Sequence, residues 1–166
     1  MVSENWQERP REIFNLFNPA FCCTVLTASV VGYQSSQNSG MPLPVAYIVF
    51  PVIFHKNTRE LLPPSSRTAL AGWIEENPTI KIGYYDHLMA LKPFVGEAIV
   101  FGSHQEWLSY NDGILSTTIK DSQITTMASK SEGEAHDCIL KARMVGKWFS
   151  NSGTPETIMD LLGVRP

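Results

Sequence analysis

The sequence predicts a mainly α-helical protein with a β-hairpin, a winged-helix-like core carrying additional N- and C-terminal helices. Three observations predict it. Apolar residues recur at spacings of three and four both early and late in the chain, an Asp112-Gly113 pair separates two short β-prone runs, and helical patterns lie on both sides of that pair. At 166 residues the chain has the length of one domain, read as residues 1–166 with the winged-helix-like core at about 42–118. Its 43% apolar and 17% charged residues are those of an ordinary globular protein.

Taken in order, Ile13, Leu16 and Phe17 predict a short amphipathic helix after Pro10. Asn18-Pro19 then reads as an N-cap followed by proline at the first helical position, and the segment to Val31 has few polar members. A helix apolar on all sides belongs in the core. Gln34 to Gly40 reads as a polar loop. Val45 to Phe54 is continuously apolar, which hides its period, so strand and helix both remain open; a helix kinked or restarted near Pro51 is the favoured reading.

Beyond Pro63-Pro64, Ser66 is expected to cap a helix with Ala69, Leu70, Trp73 and Ile74 on one face, stopped by Asn77-Pro78. Leu88, Leu91, Val95, Ala98, Ile99 and Gly102 form one stripe that runs past Pro93, where a kink or a second helix start is expected. Trp107 to Tyr110 and Ile114 to Ser116 flank the hairpin turn. Residues 117–133, rich in Ser, Thr and Lys, read as a polar surface loop. C-terminal helices at about 134–163 follow: Ile139, Ala142, Val145, Gly146 and Phe149 share one face, Thr154-Pro155 starts the last helix, and Gly163 closes it.

The net charge of −3 lacks the cation surplus that phosphate neutralisation requires, and no glycine-rich phosphate loop occurs. His55, His87, His104 and His136 are scattered without a metal-binding spacing, and Cys22, Cys23 and Cys138 suit neither a disulfide framework nor a zinc pattern. No cofactor and no metal are expected, and the thiols read as reduced core residues. No secretory signal is visible, and the run from Pro44 to Phe54 falls short of the roughly 20 residues that span a bilayer, so a cytoplasmic chain with no membrane partner is expected.

Catalysis finds little footing, since no nucleophile elbow appears and Glu75-Glu76 reads as a solvated helix end. The most abrupt polar cluster is His55, Lys56, Thr58, Arg59 and Glu60, which closes the apolar run in VFPVIFHKNTRELLP. An enzyme built on His55 and Arg59 lacks any partner pattern. Arg59 is instead expected to make a bidentate contact to a carboxylate, in this chain or in a partner, with the intrachain pairing favoured. Lys141, Arg143 and Lys147 form a candidate basic patch, although Lys141 with Glu134 and Asp137 reads as a mixed, solvated face. The hairpin offers Glu106 and Asp112 and no cation, which argues against a DNA-reading wing. Trp6, Trp107, Tyr110 and Trp148 are aromatic candidates for an interface or for the core.

Four stretches carry a resemblance: NPAFC at Asn18 to Cys22, PLPVAYIVFPVIFHKNTRELLP at Pro42 to Pro63, RTALAGWIEENP at Arg67 to Pro78, and ARMVGKWFSNSGTPETIMDLLGVRP at Ala142 to Pro166. In this order they resemble the middle component of bacterial three-component ABC (ABC-3C, Lamassu-like) defence systems, across nearly the whole chain. Cys23 and the segment 117–133 are less family-like. The resemblance implies a non-enzymatic adaptor between an SMC-like or Rad50-like ABC ATPase and an effector such as a nuclease, in an anti-phage or anti-plasmid complex, touching DNA only through that complex. Within its motifs His55, Thr58, Arg59, Arg67, Trp73, Lys147 and Trp148 become candidate interface or fold-defining residues. The alternative is a winged-helix DNA-binding transcription regulator, motivated by helices followed by the Asp112-Gly113 hairpin.

Overall fold

A computed structural model describes residues 17–165; the helix expected after Pro10 lies outside them. The first described element, α1 (Pro19–Gln37), starts as its sequence predicts: Asn18 Oδ1 accepts the Phe21 amide at 2.8 Å, and Pro19 occupies the first turn. Every residue from Val25 to Tyr33 is buried, so α1 is the central post of the fold. It outruns the expected boundary, because Gln34 to Gln37 continue the helix until Asn38 takes a left-handed conformation (φ 54°) and ends it. Gln34 is no loop residue: its amide donates to the Thr117 carbonyl and accepts the Thr117 amide, tying α1 to the chain beyond the hairpin.

A two-residue strand, β1 (Met41–Pro42), leads into α2 (Leu43–Phe54), which is the helix favoured for the apolar run and holds Pro51 inside its last turn. Pro51 has no N–H to offer the Tyr47 carbonyl one turn back, while its own carbonyl accepts the His55 amide where the helix ends and His55 turns extended. Next come α3 (Lys56–Glu60) and α4 (Leu70–Glu76). Ser66 does not cap α4: Ala69 sits at the N-cap without a side-chain bond, and the Ser65 hydroxyl instead accepts the Arg67 amide within a local turn. After a 3-10 turn at Pro78–Lys81, α5 (Tyr84–His104) runs as one helix through Pro93. Its buried side carries Tyr84, Leu88, Val95, Ala98 and Gly102, and the Tyr84 hydroxyl donates to the Ile48 carbonyl of α2. Burial of that phenol pushes its pKa well above the ordinary value.

The hairpin forms as expected from β2 (Ser109–Asn111) and β3 (Ile114–Ser116), with positive φ at both Asp112 and Gly113, the turn geometry that this dipeptide favours. β1 adds to β3 in register Met41 to Leu115 and Pro42 to Ile114, giving a three-stranded antiparallel sheet in the order β1-β3-β2. Periodicity could not announce a two-residue strand.

The segment 117–133 holds a helix, α6 (Asp121–Ser129), where a loop was expected. Its hydroxyls do not compete with the helix, because Thr125 and Thr126 donate back to the carbonyls of Asp121 and Ser122. Ile124 and Ala128, one turn apart, are buried and supply its apolar face. α7 (Gly133–Ser150) and α8 (Pro155–Leu161) complete the chain, the latter capped by Thr154 Oγ1 on the Thr157 amide.

The tightest joint lies between α1 and α7. A Cβ on Gly32 would collide with the Arg143 carbonyl, and one on Gly146 would collide with the Ser29 carbonyl. Backbone meets backbone there, and glycine is required for approach. The three cysteines, Cys22 and Cys23 in α1 and Cys138 in α7, are buried and none is in a disulfide.

Candidate functional site

The cluster that closes VFPVIFHKNTRELLP sits where α2 ends. His55 leaves the helix with ψ 106°, and its Nδ1 lies 2.7 Å from Thr58 Oγ1, a local turn contact that starts α3. Four residues on, Arg59 points inward and is only 3% exposed. Its Nη1 donates to the Ile53 carbonyl at 2.7 Å, Nε to Asp137 Oδ2 at 2.9 Å, and Nη2 to Glu134 Oε1 at 2.7 Å. One guanidinium thus satisfies an orphan carbonyl at the end of α2 and two carboxylates in the first turns of α7.

The carboxylate contact is intrachain, as favoured from sequence, but it is not bidentate to one acid; each acid takes one N–H. Those same acids were expected to share a solvated face with Lys141; they stay about half exposed but turn to Arg59, because a buried guanidinium demands anions. Burial opposes the charge on Arg59, yet the bonds to Glu134 and Asp137 outweigh it and hold its pKa above the ordinary value. Cys138 lies against the hub, where burial raises its thiol to about 11 against the pull of Arg59, so it stays protonated and poorly nucleophilic. A cavity of about 180 Å³ borders the hub, walled by Phe17, Phe21, Phe54 and Cys138.

A second joint uses tryptophan. The Trp73 and Trp148 rings meet edge-on, 5.0 Å between centroids and 84° between planes, and each indole N–H finds a carbonyl: Leu61 for Trp73 at 2.7 Å and Thr68 for Trp148 at 2.6 Å. Both anchors hold the irregular 61–69 segment against α7 and α4. The Arg59 hub and the tryptophan pair therefore bracket one stretch of chain.

Other candidates do not join them. Arg67 is exposed, as is Lys147, while Lys141 is half-buried. Arg143 Nη1 reaches Asp121 Oδ1 at 3.3 Å and Thr125 Oγ1 at 2.9 Å, so one member of the basic patch is engaged by α6. Glu75 and Glu76 are exposed at the end of α4.

Two features escaped the sequence reading. His55 and His87 bring their rings to 4.6 Å; burial and the neighbouring His87 lower the pKa of His55. Nothing in the spacing of 32 residues announces this. The outward face of α5 exposes Tyr85, Met89 and Val100, with Ile82 just before the helix. Here a signal existed: Tyr85, Met89, Pro93 and Val100 recur at steps of four and seven, opposite Leu88, Val95 and Ala98. Among the described residues no group of three or more His, Cys, Asp or Glu is placed to hold a metal ion, and no helix is long and apolar enough to cross a membrane.

Fold and site together define a mainly helical packing module, one buried helix gripped by the others and one irregular segment locked by an arginine and two tryptophans. Residues 6–166 match the family model described as ABC-three component (ABC-3C) system Middle Component 3, and the chain belongs to that family. No curated protein and no solved structure matches it.

Proposed function

We propose that this chain is the non-enzymatic middle subunit of a Lamassu-like complex, bridging an SMC-like or Rad50-like ABC ATPase and an effector such as a nuclease in cytoplasmic defence against phages or plasmids. The observation that carries the reading is family membership over residues 6–166: a component of a multi-component ABC system has partner subunits. In this reading residues 1–166 act as one domain. Thr58, Arg59, Trp73 and Trp148 are fold-defining, a role supported by their burial and bonding; Arg67 and Lys147, both exposed, are the interface candidates, and His55 links the hub to α5. Co-expression of the system's three subunits tests it. The ATPase and the effector should associate only when this chain is present, and association in its absence, or a chain that binds neither, would sink the proposal.

One observation favours a second reading, a winged-helix DNA-binding regulator: α1 and α2 flank β1, a long helix precedes the hairpin, and the sheet has the order β1-β3-β2. A salt-dependent shift of duplex DNA by the purified protein would support it. Binding unchanged by replacing Lys141, Arg143 and Lys147 would remove that patch as the contact surface. The outward residues of α5, the helix such a fold would offer to DNA, are Tyr85, Met89 and Val100, with Lys92 the one Lys or Arg on the helix, which weighs toward the adaptor.

A further inference from the structure

α5 buries one side and presents a second apolar stripe to solvent. Ile82 is 76% exposed, Tyr85 51%, Met89 46% and Val100 58%. Between Met89 and Val100 the same face carries Pro93 and Gly96, and a Cβ at Gly96 would meet nothing within 4 Å. Single exposed apolar residues are ordinary, but Tyr85, Met89 and Val100 on one face of α5, with Ile82 just before the helix, are four of the seven exposed large hydrophobics among the described residues.

We propose that this face of α5 is the docking surface for an apolar-faced amphipathic helix of a partner subunit; the proposal rests on the adaptor reading and names the surface that serves it. Side-chain spacing of three to four along the stripe suits a helix laid alongside, with anchors at matching intervals. Gly96 leaves room for the partner's backbone or a large side chain to come close. The stripe itself holds no charge, while Asp86 lies on one edge and Lys92 on the other, so the fitting helix carries a basic edge against Asp86 and an acidic edge against Lys92.

Area argues against a second copy of this chain as the occupant. From Tyr85 to Val100 the helical face is about 23 Å long and about 10 Å wide, with Ile82 adding to its N-terminal end. That is roughly 300 Å², well under the roughly 800 Å² a side of a stable free-standing interface. An antiparallel two-fold pairing would also set like-charged edges side by side. A contact of this size is sufficient as one of several in a multi-subunit assembly.

The test measures binding of the full chain to the ABC-type subunit and to the third component of its own system, each purified. Met89→Asp and Val100→Asp should each weaken binding to one of the two at least tenfold, and Met89→Gln should weaken it less. Melting temperature and the mass of the isolated protein should not change, and Ser122→Asp on exposed α6 should bind as wild type. Affinities within twofold of wild type for both Asp variants would overturn the surface while leaving the adaptor reading intact. A wild-type protein that binds neither subunit would overturn both. An isolated protein that is dimeric and is dissociated by Met89→Asp would assign the face to self-association instead.

Discussion

The two joints made by α7 differ in kind. Against α1 it packs by shape: Gly32 and Gly146 let two backbones touch, and each glycine faces a carbonyl of the other helix. Against the chain between Ile53 and Ala69 it bonds by donors, through the Arg59 guanidinium on Glu134 and Asp137 and the Trp148 indole on Thr68. The first joint tolerates no added atom, whereas the second is weakened by each lost N–H. A close-packed crossing has no room to relax, while polar anchors at a partly open edge can be replaced in part by water.

The largest expected effect breaks the first joint. Gly146→Ala should lower unfolding stability by about 3 kcal/mol, the upper end for overpacking, because its Cβ collides with backbone that cannot rotate away. Urea unfolding measures it, and a loss below about 1 kcal/mol would show that the helices can slide apart. Arg59→Ala should cost about 2 to 3 kcal/mol: it orphans the Ile53 carbonyl and leaves a void, while Glu134 and Asp137, 48% and 46% exposed, regain water. Arg59→Lys should recover less than half of that loss, since an ammonium cannot reach three acceptors set out for a planar fork. Equal stability of the Arg and Lys proteins would reduce the hub to its charge.

Trp148→Phe should cost about 2 kcal/mol by removing the donor to Thr68 and part of a buried ring. Faster proteolytic cleavage within 61–69, relative to global unfolding, would localise that loss to the segment the tryptophans hold. The smallest effect is a pH dependence. His55 has a folded pKa below its unfolded value near 6.5, so the unfolded chain binds the proton more readily, and stability falls as pH drops through that window toward the folded value. Replacing His55 with Asn should flatten melting temperature against pH below about 6.5, and an unchanged slope would exclude this residue as the source.

Much of the fold was legible because its signals are local. Asn18 and Thr154 caps, the Asp112-Gly113 turn and the apolar run through Pro51 each depend on neighbours within four residues. Boundaries that depended on distant support were missed. α1 reaches Gln37 with Gln34 bonded to Thr117, and α6 forms where Ile124 and Ala128 find burial. Of the candidate site, the inward role of Arg59 toward a carboxylate was readable from a cation closing an apolar run; that the acids number two, lie 75 and 78 residues onward, and each take one N–H was not.

By itself, then, the sequence determined most of the helices though not α6, where the hairpin turns, and that Arg59 must meet an anion, because periodicity and caps report the angle of each side chain about its own axis. Tertiary structure alone decided that α1 and α7 touch through glycine, that β1 joins β3, that His55 meets His87, and that one side of α5 remains uncovered. Those outcomes depend on which faces are brought together across the chain, and no repeat of three or four residues records the partner.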